Sequence, residues 1–270
     1  MEELKQTLLN MLSWFHEFCV KHDITYYALG GTLLGTIRHK GFIPWDDDID
    51  LGLPRKEYNK LIETMKGENG RYILESPMQE KDGFVYSYCK LYDKETTLVE
   101  NTRYKTKRGV YLDIFPLDGI GNTIEESKRN FKAIDRKQKF INTKICALNK
   151  NRRWYKNCAI IAGRCIPSFI FNWRHEVKKI NELCESRSFE QCEYVGNLLG
   201  NWHEKEIVKR EWFDIPVLLD FENIKIFAPK ESDKYLTNVY GDYMTPPPPE
   251  KQKTHHDYLE IDLHKSYTEV

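Results

Sequence analysis

The chain has 270 residues, 40% of them hydrophobic and 13% aromatic, which supplies enough apolar surface for one large core and argues against disorder. Lys plus Arg and Asp plus Glu both number 41, so the net charge is near zero and gives no reason to expect nucleic acid as a partner. The seven cysteines are odd in number, scattered and without a Cys-x-x-Cys pair, which suits a reducing compartment better than a disulfide framework.

In chain order, Leu4, Leu8, Leu12, Phe15 and Cys19 recur at helical spacing and predict an amphipathic first helix, with His16 and His22 as surface or capping groups near its end. Glu2 and Glu3 stand where an export signal carries positive charge, and no clean apolar segment follows. The expectation is therefore cytoplasmic work. Residues 24–29 read as a core strand that delivers Gly30-Gly31-Thr32. A short amphipathic segment with Arg38, His39 and Lys40 comes next, then four carboxylates among five residues, Asp46, Asp47, Asp48 and Asp50.

In Asp48-Ile49-Asp50-Leu51 polar and apolar residues alternate, so a strand there puts Asp48 and Asp50 on one face. Two carboxylates so close repel each other unless a cation lies between them, and a hard divalent ion such as Mg²⁺, with Mn²⁺ as the substitute, fits oxygen ligands. Asp46 and Asp47 either surround that ion or are solvated turn residues. The Gly-Gly-Thr step lets the backbone turn sharply, and the following helix start offers N–H groups to a phosphate. Order and spacing together describe a phosphoryl-transfer type of site.

Pro54 starts a helix running to about Met65, and residues 72–74, 84–92 and 97–99 read as strands rich in aromatic and β-branched side chains. Lys90 falls within the second of these, where it either reaches a phosphate or guards a sheet edge. Residues 103–108 form a basic loop, a solvated one or a hold for an anionic substrate. The strand 110–115 carries Asp113 between Leu112 and Ile114, and an unpaired carboxylate there is costly to bury, which makes Asp113 the third candidate for the metal. Asp118, in Leu-Asp-Gly, reads as a turn residue.

Residues 124–149 predict a long charged helix. The apolar run 158–171 is too short to span a bilayer, but its basic, tryptophan-rich flanks suit a membrane interface, with packing on the domain or a dimer contact as the alternatives. Helix is expected again at 176–184 and 230–239, with a strand at 194–200. A zinc site from Cys184, Cys192 and a histidine would have unusual spacing. The proline run 246–249 forces an extended course into Lys251, Lys253, Thr254, His255 and His256, which either lie over the site or form an exposed tail.

The stretch Gly30-Gly31-Thr32-Leu33-Leu34-Gly35, then Arg38, then Ile43-Pro44-Trp45-Asp46-Asp47-Asp48-Ile49-Asp50 resembles the signature of the LicD family, to which fukutin and its relatives are also similar. The resemblance continues in Tyr111 to Gly119, Phe221-Glu222, Tyr240-Gly241-Asp242-Tyr243-Met244 and His255, and is not traced through 130–192. It implies an α/β, nucleotidyltransferase-like fold, and with the elements expected above the chain divides into three parts: a catalytic core at 1–129, a helical insertion at 130–192 with membrane or acceptor contact expected from its flanks, and a C-terminal part at 193–270 that completes the site. It also implies transfer of phosphocholine from CDP-choline to a hydroxyl of a surface glycan precursor, a teichoic acid or lipopolysaccharide, at the inner face of the membrane. On this reading Asp48, Asp50 and Asp113 are catalytic and hold the metal, while Gly30, Gly31, Thr32, Arg38, Lys90 and His255 bind substrate. The acceptor proton passes to a nearby carboxylate, with Asp113 the candidate, and a choline head group meets an aromatic face. Transfer of ribitol or glycerol phosphate, synthesis of a CDP-activated compound, and glycan binding without catalysis are the alternatives.

Overall fold

A computed structural model describes every residue except 68, 69, 80–82, 151, 201, 255 and 270. Helix α1 (Glu2–Lys21) buries Leu4, Leu8, Leu12, Phe15 and Cys19 against the sheet, as its spacing requires. Strand β1 (Tyr27–Ala28) leads into α2 (Gly30–His39), and β2 (Asp50–Pro54) into α3 (Arg55–Thr64). Then come β3 (Tyr72–Glu75), β4 (Cys89–Asp93), β5 (Thr97–Glu100), β6 (Lys107–Arg108) and the eleven-residue β7 (Tyr111–Gly121). Helices α4 (Ile124–Ile145), α5 (Trp154–Cys165) and α6 (Trp173–Glu185) precede β8 (Tyr194–Gly196) and β9 (Val208–Lys209). The hairpin β10 (Val217–Phe221) and β11 (Ile224–Ala228), α7 (Ser232–Tyr240) and β12 (Tyr258–Asp262) complete the chain.

The main sheet has the order β1-β2-β7-β4-β3, with β2 and β7 parallel and the other neighbours antiparallel; β8 and then β9 extend it from the second half of β7. This is the mixed α/β class the sequence implies. One core joins α1, α2, α3 and the sheet, while a second, around Phe131, Ile134, Ile141, Val177 and Ile180, packs α4 and α6 beside β7.

Several expectations change. Strand β2 begins at Asp50, so Asp48 lies in the loop before it. Residues 84–88 are not a strand, and β4 is an interior strand between β7 and β3, so Lys90 does not guard an edge. Asp118 is no turn residue. It lies in β7, fully buried, and accepts two hydrogen bonds from the Arg55 guanidinium at 2.7 and 2.6 Å. Its partner converts a costly buried carboxylate into a clamp between α3 and β7. His16 is half-buried against Tyr26 and Phe227, with Nδ1 2.9 Å from the Tyr26 hydroxyl. No strand was expected at β12, which pairs with β5 from far along the chain.

Candidate active site

The register of the central strands sets the first half of the site. Asp50 on β2 pairs with Asp113 on β7, and Asp113 pairs with Lys90 on β4. Paired residues on adjacent strands share a face, so the three form one transverse row. Lys90 is fully buried. Its Nζ lies 3.0 Å from Asp113 Oδ1 and 3.3 Å from Glu100, above the Tyr111 and Tyr86 rings at 3.2 and 4.1 Å. Tyr111 donates to Glu100 at 2.9 Å, and Tyr86 donates to it as well. A buried ammonium is tolerated only with such partners.

The second half is a loop. Its start is held by the buried Lys5 of α1, whose Nζ donates to the Ile43 and Pro44 carbonyls at 3.1 and 2.8 Å, and by Glu222 at the β10–β11 tip, which accepts the Phe42 N–H. The loop then sets Asp46, Asp47 and Asp48 beside the row. From the far end of the chain, Thr254 donates to Asp47 Oδ2 at 2.6 Å, and His256 places Nδ1 2.9 Å from Asp47 and Nε2 3.5 Å from Asp48. The ligand atoms of Asp47, Asp48 and His256 lie within 4.8 Å of one another, a grouping compatible with a divalent cation. It differs from the expected Asp48, Asp50 and Asp113, and Cys184 and Cys192 are outside it.

The glycine pair makes room for these carboxylates. A Cβ on Gly31 would stand 2.4 Å from Asp46 Oδ2, and one on Gly30, whose φ is +50°, would stand 3.0 Å from Asp50 Oδ2. Thr32 is buried, and its hydroxyl accepts the Asp50 N–H at 2.9 Å, fixing the start of β2. Arg38 lies at the other end of α2, where Nη1 donates to the Tyr243 carbonyl at 2.6 Å. His255 falls outside the described residues.

Charge in this cleft is unbalanced. Burial and the neighbouring Asp48 push the Asp46 carboxyl up to about 8, and burial with Asp48 and Asp113 nearby pushes Asp50 well above the ordinary range. Asp113 is raised to about 6, by burial against the opposing pull of Lys90, and Asp48 is raised too. Burial works against ionisation of Asp47 as well, but the bonds from His256 and Thr254 hold it low, while His256, which burial alone would lower, is raised to about 9 by Asp47 and Asp48. Asp113 Oδ1 is buried and faces the Lys90 ammonium at 3.0 Å, with no second donor among the described residues. Clustered hard oxygens, several of them raised by burial and by one another, fit a divalent cation.

Around this chemistry is a cleft of about 120 Å³. Its other wall carries Tyr88, Phe115 and Trp202, and also Glu206, a buried carboxyl that takes a hydrogen bond from Tyr235 at 3.0 Å and is pushed by burial to about 7. Glu206 and Lys5 are not site candidates from sequence, and His256 is one only as part of the tail 251–256. Only the alternation Tyr-Leu-Glu-Ile-Asp after His256 marks a strand that could anchor that tail.

A mixed sheet with carboxylates on adjoining strands, beside a helix that begins on a glycine pair, defines the class: a nucleotidyltransferase-like fold with a site suited to phosphoryl-type transfer. A family profile described as LicD/FKTN/FKRP, nucleotidyltransferase domain, matches residues 23–151. The lipopolysaccharide cholinephosphotransferase LicD of Haemophilus influenzae is 30% identical over 262 residues, covering 95% of this chain and 96% of that protein. The chain belongs to the LicD family. The ribitol 5-phosphate transferase FKRP of Homo sapiens is 28% identical over 93 residues, 34% of this chain and 17% of that protein. An uncharacterized protein of Rickettsia prowazekii is 29% identical over 138 residues, 43% of this chain and 52% of its own length.

Proposed function

We propose that this protein is a phosphotransferase that moves phosphocholine from CDP-choline to a hydroxyl of a lipid-linked surface glycan precursor, with Mg²⁺ or Mn²⁺ as cofactor. End-to-end likeness to a cholinephosphotransferase supports the substrate class. The observation that carries the chemistry is the in-register row Asp50–Asp113–Lys90.

Asp48, Asp50 and Asp113 are the residues assigned to hold the metal, with Asp47 and His256 beside them. When bound, the ion neutralises the diphosphate and the departing CMP. Asp113 takes the proton of the attacking hydroxyl as the new O–P bond forms and the bond to CMP breaks. Lys90 holds Asp113 in place and lends positive charge to the phosphoryl group. Gly30, Gly31 and Thr32 keep the carboxylates close to α2, and Arg38 fixes the segment 240–244 behind them. Tyr88, Phe115 and Trp202 offer π-faces to a trimethylammonium group, which the nearby Glu206 carboxylate also favours.

The site is completed from 193–270, and the helical segment 130–192 faces the acceptor and the membrane. On α5 and just beyond it Trp154, Ile161, Phe169 and Ile170 are exposed, Phe169 to 88%, among Arg153 and Lys156. That combination suits an anionic interface, although among the described residues no helix is long and apolar enough to cross a membrane. Flotation with anionic vesicles should carry the wild type and leave a Trp154→Ala, Phe169→Ala variant behind; equal flotation would remove the membrane role.

The deciding experiment is CMP release from CDP-choline with Mg²⁺ and lipopolysaccharide or teichoic acid acceptors, beside Asp48→Ala and Asp50→Ala. Release requiring the metal and both aspartates is expected. Release from CDP-ribitol or CDP-glycerol alone would keep the mechanism and change the substituent, the outcome the FKRP match favours. Silence with every donor would overturn the reading.

A further inference from the structure

A second hollow, about 260 Å³, adjoins the carboxylate cleft and shares Tyr88 and Gly200 with it. It stands at the small end of ordinary ligand sites, about 300–1,000 Å³, and so suits a single small unit. One wall is a polar stripe of α4, Asp135, Gln138 and Asn142, at spacings of three and four that put them on one helical face. Opposite stand Ser87, Asn101 and Thr102, with the Phe131 ring as an apolar surface.

The amides are organised in advance. Ser87 donates to Gln138 Oε1 at 2.9 Å, and Gln138 Nε2 donates to Asn142 Oδ1 at 3.1 Å. This uses the Asn142 carbonyl and leaves its amide N–H groups with no protein acceptor among the described residues. The bordering basic side chains are engaged: Lys139 pairs with Asp135 at 2.5 Å, His203 Nδ1 lies 3.2 Å from the same carboxylate, and Arg152 donates to the Ala147 carbonyl at 2.9 Å. A carboxylate already facing Lys139 and directed amides beside an aromatic ring suit neutral hydroxyls better than a diphosphate.

We propose that this hollow is the acceptor subsite, holding a neutral pyranose unit of the glycan. The assignment rests on the phosphotransferase reading. Tyr88 stands at the opening between the two spaces, its hydroxyl 3.5 Å from Asp113 Oδ2, so a sugar hydroxyl projecting past it meets the carboxylate row. Asn101 also ties this wall to the tail, donating from Nδ2 to Asp257 at 2.8 Å beside His256, which couples an occupied sugar site to the loop that closes on Asp47.

The test uses the full chain, its Asn142→Leu and Gln138→Leu variants, and methyl glycosides of glucose, galactose, N-acetylglucosamine and N-acetylgalactosamine as probes in saturation-transfer NMR. CDP-choline with Mg²⁺ is titrated in parallel, and thermal melts confirm that each variant is folded. Wild-type protein should bind at least one glycoside, and each variant should bind it about tenfold more weakly, the size of a lost directed hydrogen bond or two, with CDP-choline affinity held. No glycoside binding to wild type, or binding untouched in both folded variants, would overturn the assignment. So would weakening of CDP-choline instead, which would give the hollow to the nucleotide. Glycoside binding that follows the pattern in a protein that ignores every CDP donor would keep the subsite and end the transferase reading.

Discussion

The two halves of the site are built differently. Asp50, Asp113 and Lys90 stand on three hydrogen-bonded strands whose register fixes them side by side, and Lys90 is buried among Glu100, Tyr86 and Tyr111. Asp46, Asp47 and Asp48 stand on a loop that is held at its start by Lys5 and Glu222 and met from above by Thr254 and His256, near the other end of the chain. The first half is part of the core, so altering it disturbs folding. The second can open without unfolding the sheet, which is the arrangement expected where substrates must enter and leave.

The largest effect belongs to the sheet half. Lys90→Met removes the buried cation, leaving Glu100 and Asp113 facing each other, and should cost about 3–5 kcal/mol of stability, as breaking a buried ion pair does. Chemical denaturation measures this. A loss below about 1 kcal/mol would mean that the aromatic and hydroxyl neighbours carry the site alone. The loop half should respond in the opposite sense. His256→Ala should lower CMP release about 10–100-fold, as losing a group that orients a metal ligand does, with the melting temperature almost unchanged. A variant that melts early but turns over normally would make the tail a structural strap only.

The same division explains what could be read from sequence. Asp48, Asp50 and Asp113 stood out because a carboxylate among alternating or continuous apolar residues is conspicuous over five residues. Helix α1 follows from apolar spacing and α2 from the glycine pair that opens it, and helices are also expected where α4 and α6 lie. What stayed hidden depends on distant pairing. Asp118 looked like a turn in Leu-Asp-Gly until Arg55 supplied its partner across the sheet. Residues 84–88 have strand composition, yet Tyr86 and Tyr88 line hollows, and ring packing overrides their β-propensity. Strand β12 follows prolines and charges, and only β5, more than 150 residues away, completes it. Without β12 to anchor the tail, His256 reads only as one of several residues that either lie over the site or stay exposed.

The smallest predicted effect tests a carboxyl that belongs to neither half. Glu206 reaches the cleft from the short turn after Trp202, and burial raises it from an ordinary 4.5 to about 7. A carboxyl whose folded pKa lies above its unfolded value binds more protons folded than unfolded between those two values. Stability from this group is therefore full below about pH 4.5, falls as pH rises through that window, and is lost above about 7. Glu206→Gln can still accept from Tyr235 but cannot ionise. In metal-free protein it should gain about 1–2 kcal/mol over wild type at pH 8 and almost nothing at pH 5, after allowing for relaxation around a buried charge. Equal differences at the two pH values would mean that Glu206 meets compensating charge or water in the cleft. A gain at pH 8 that disappears when CDP-choline and Mg²⁺ are added would instead tie the ionised carboxylate to the bound cationic donor group, and would join this third element to the function of the other two.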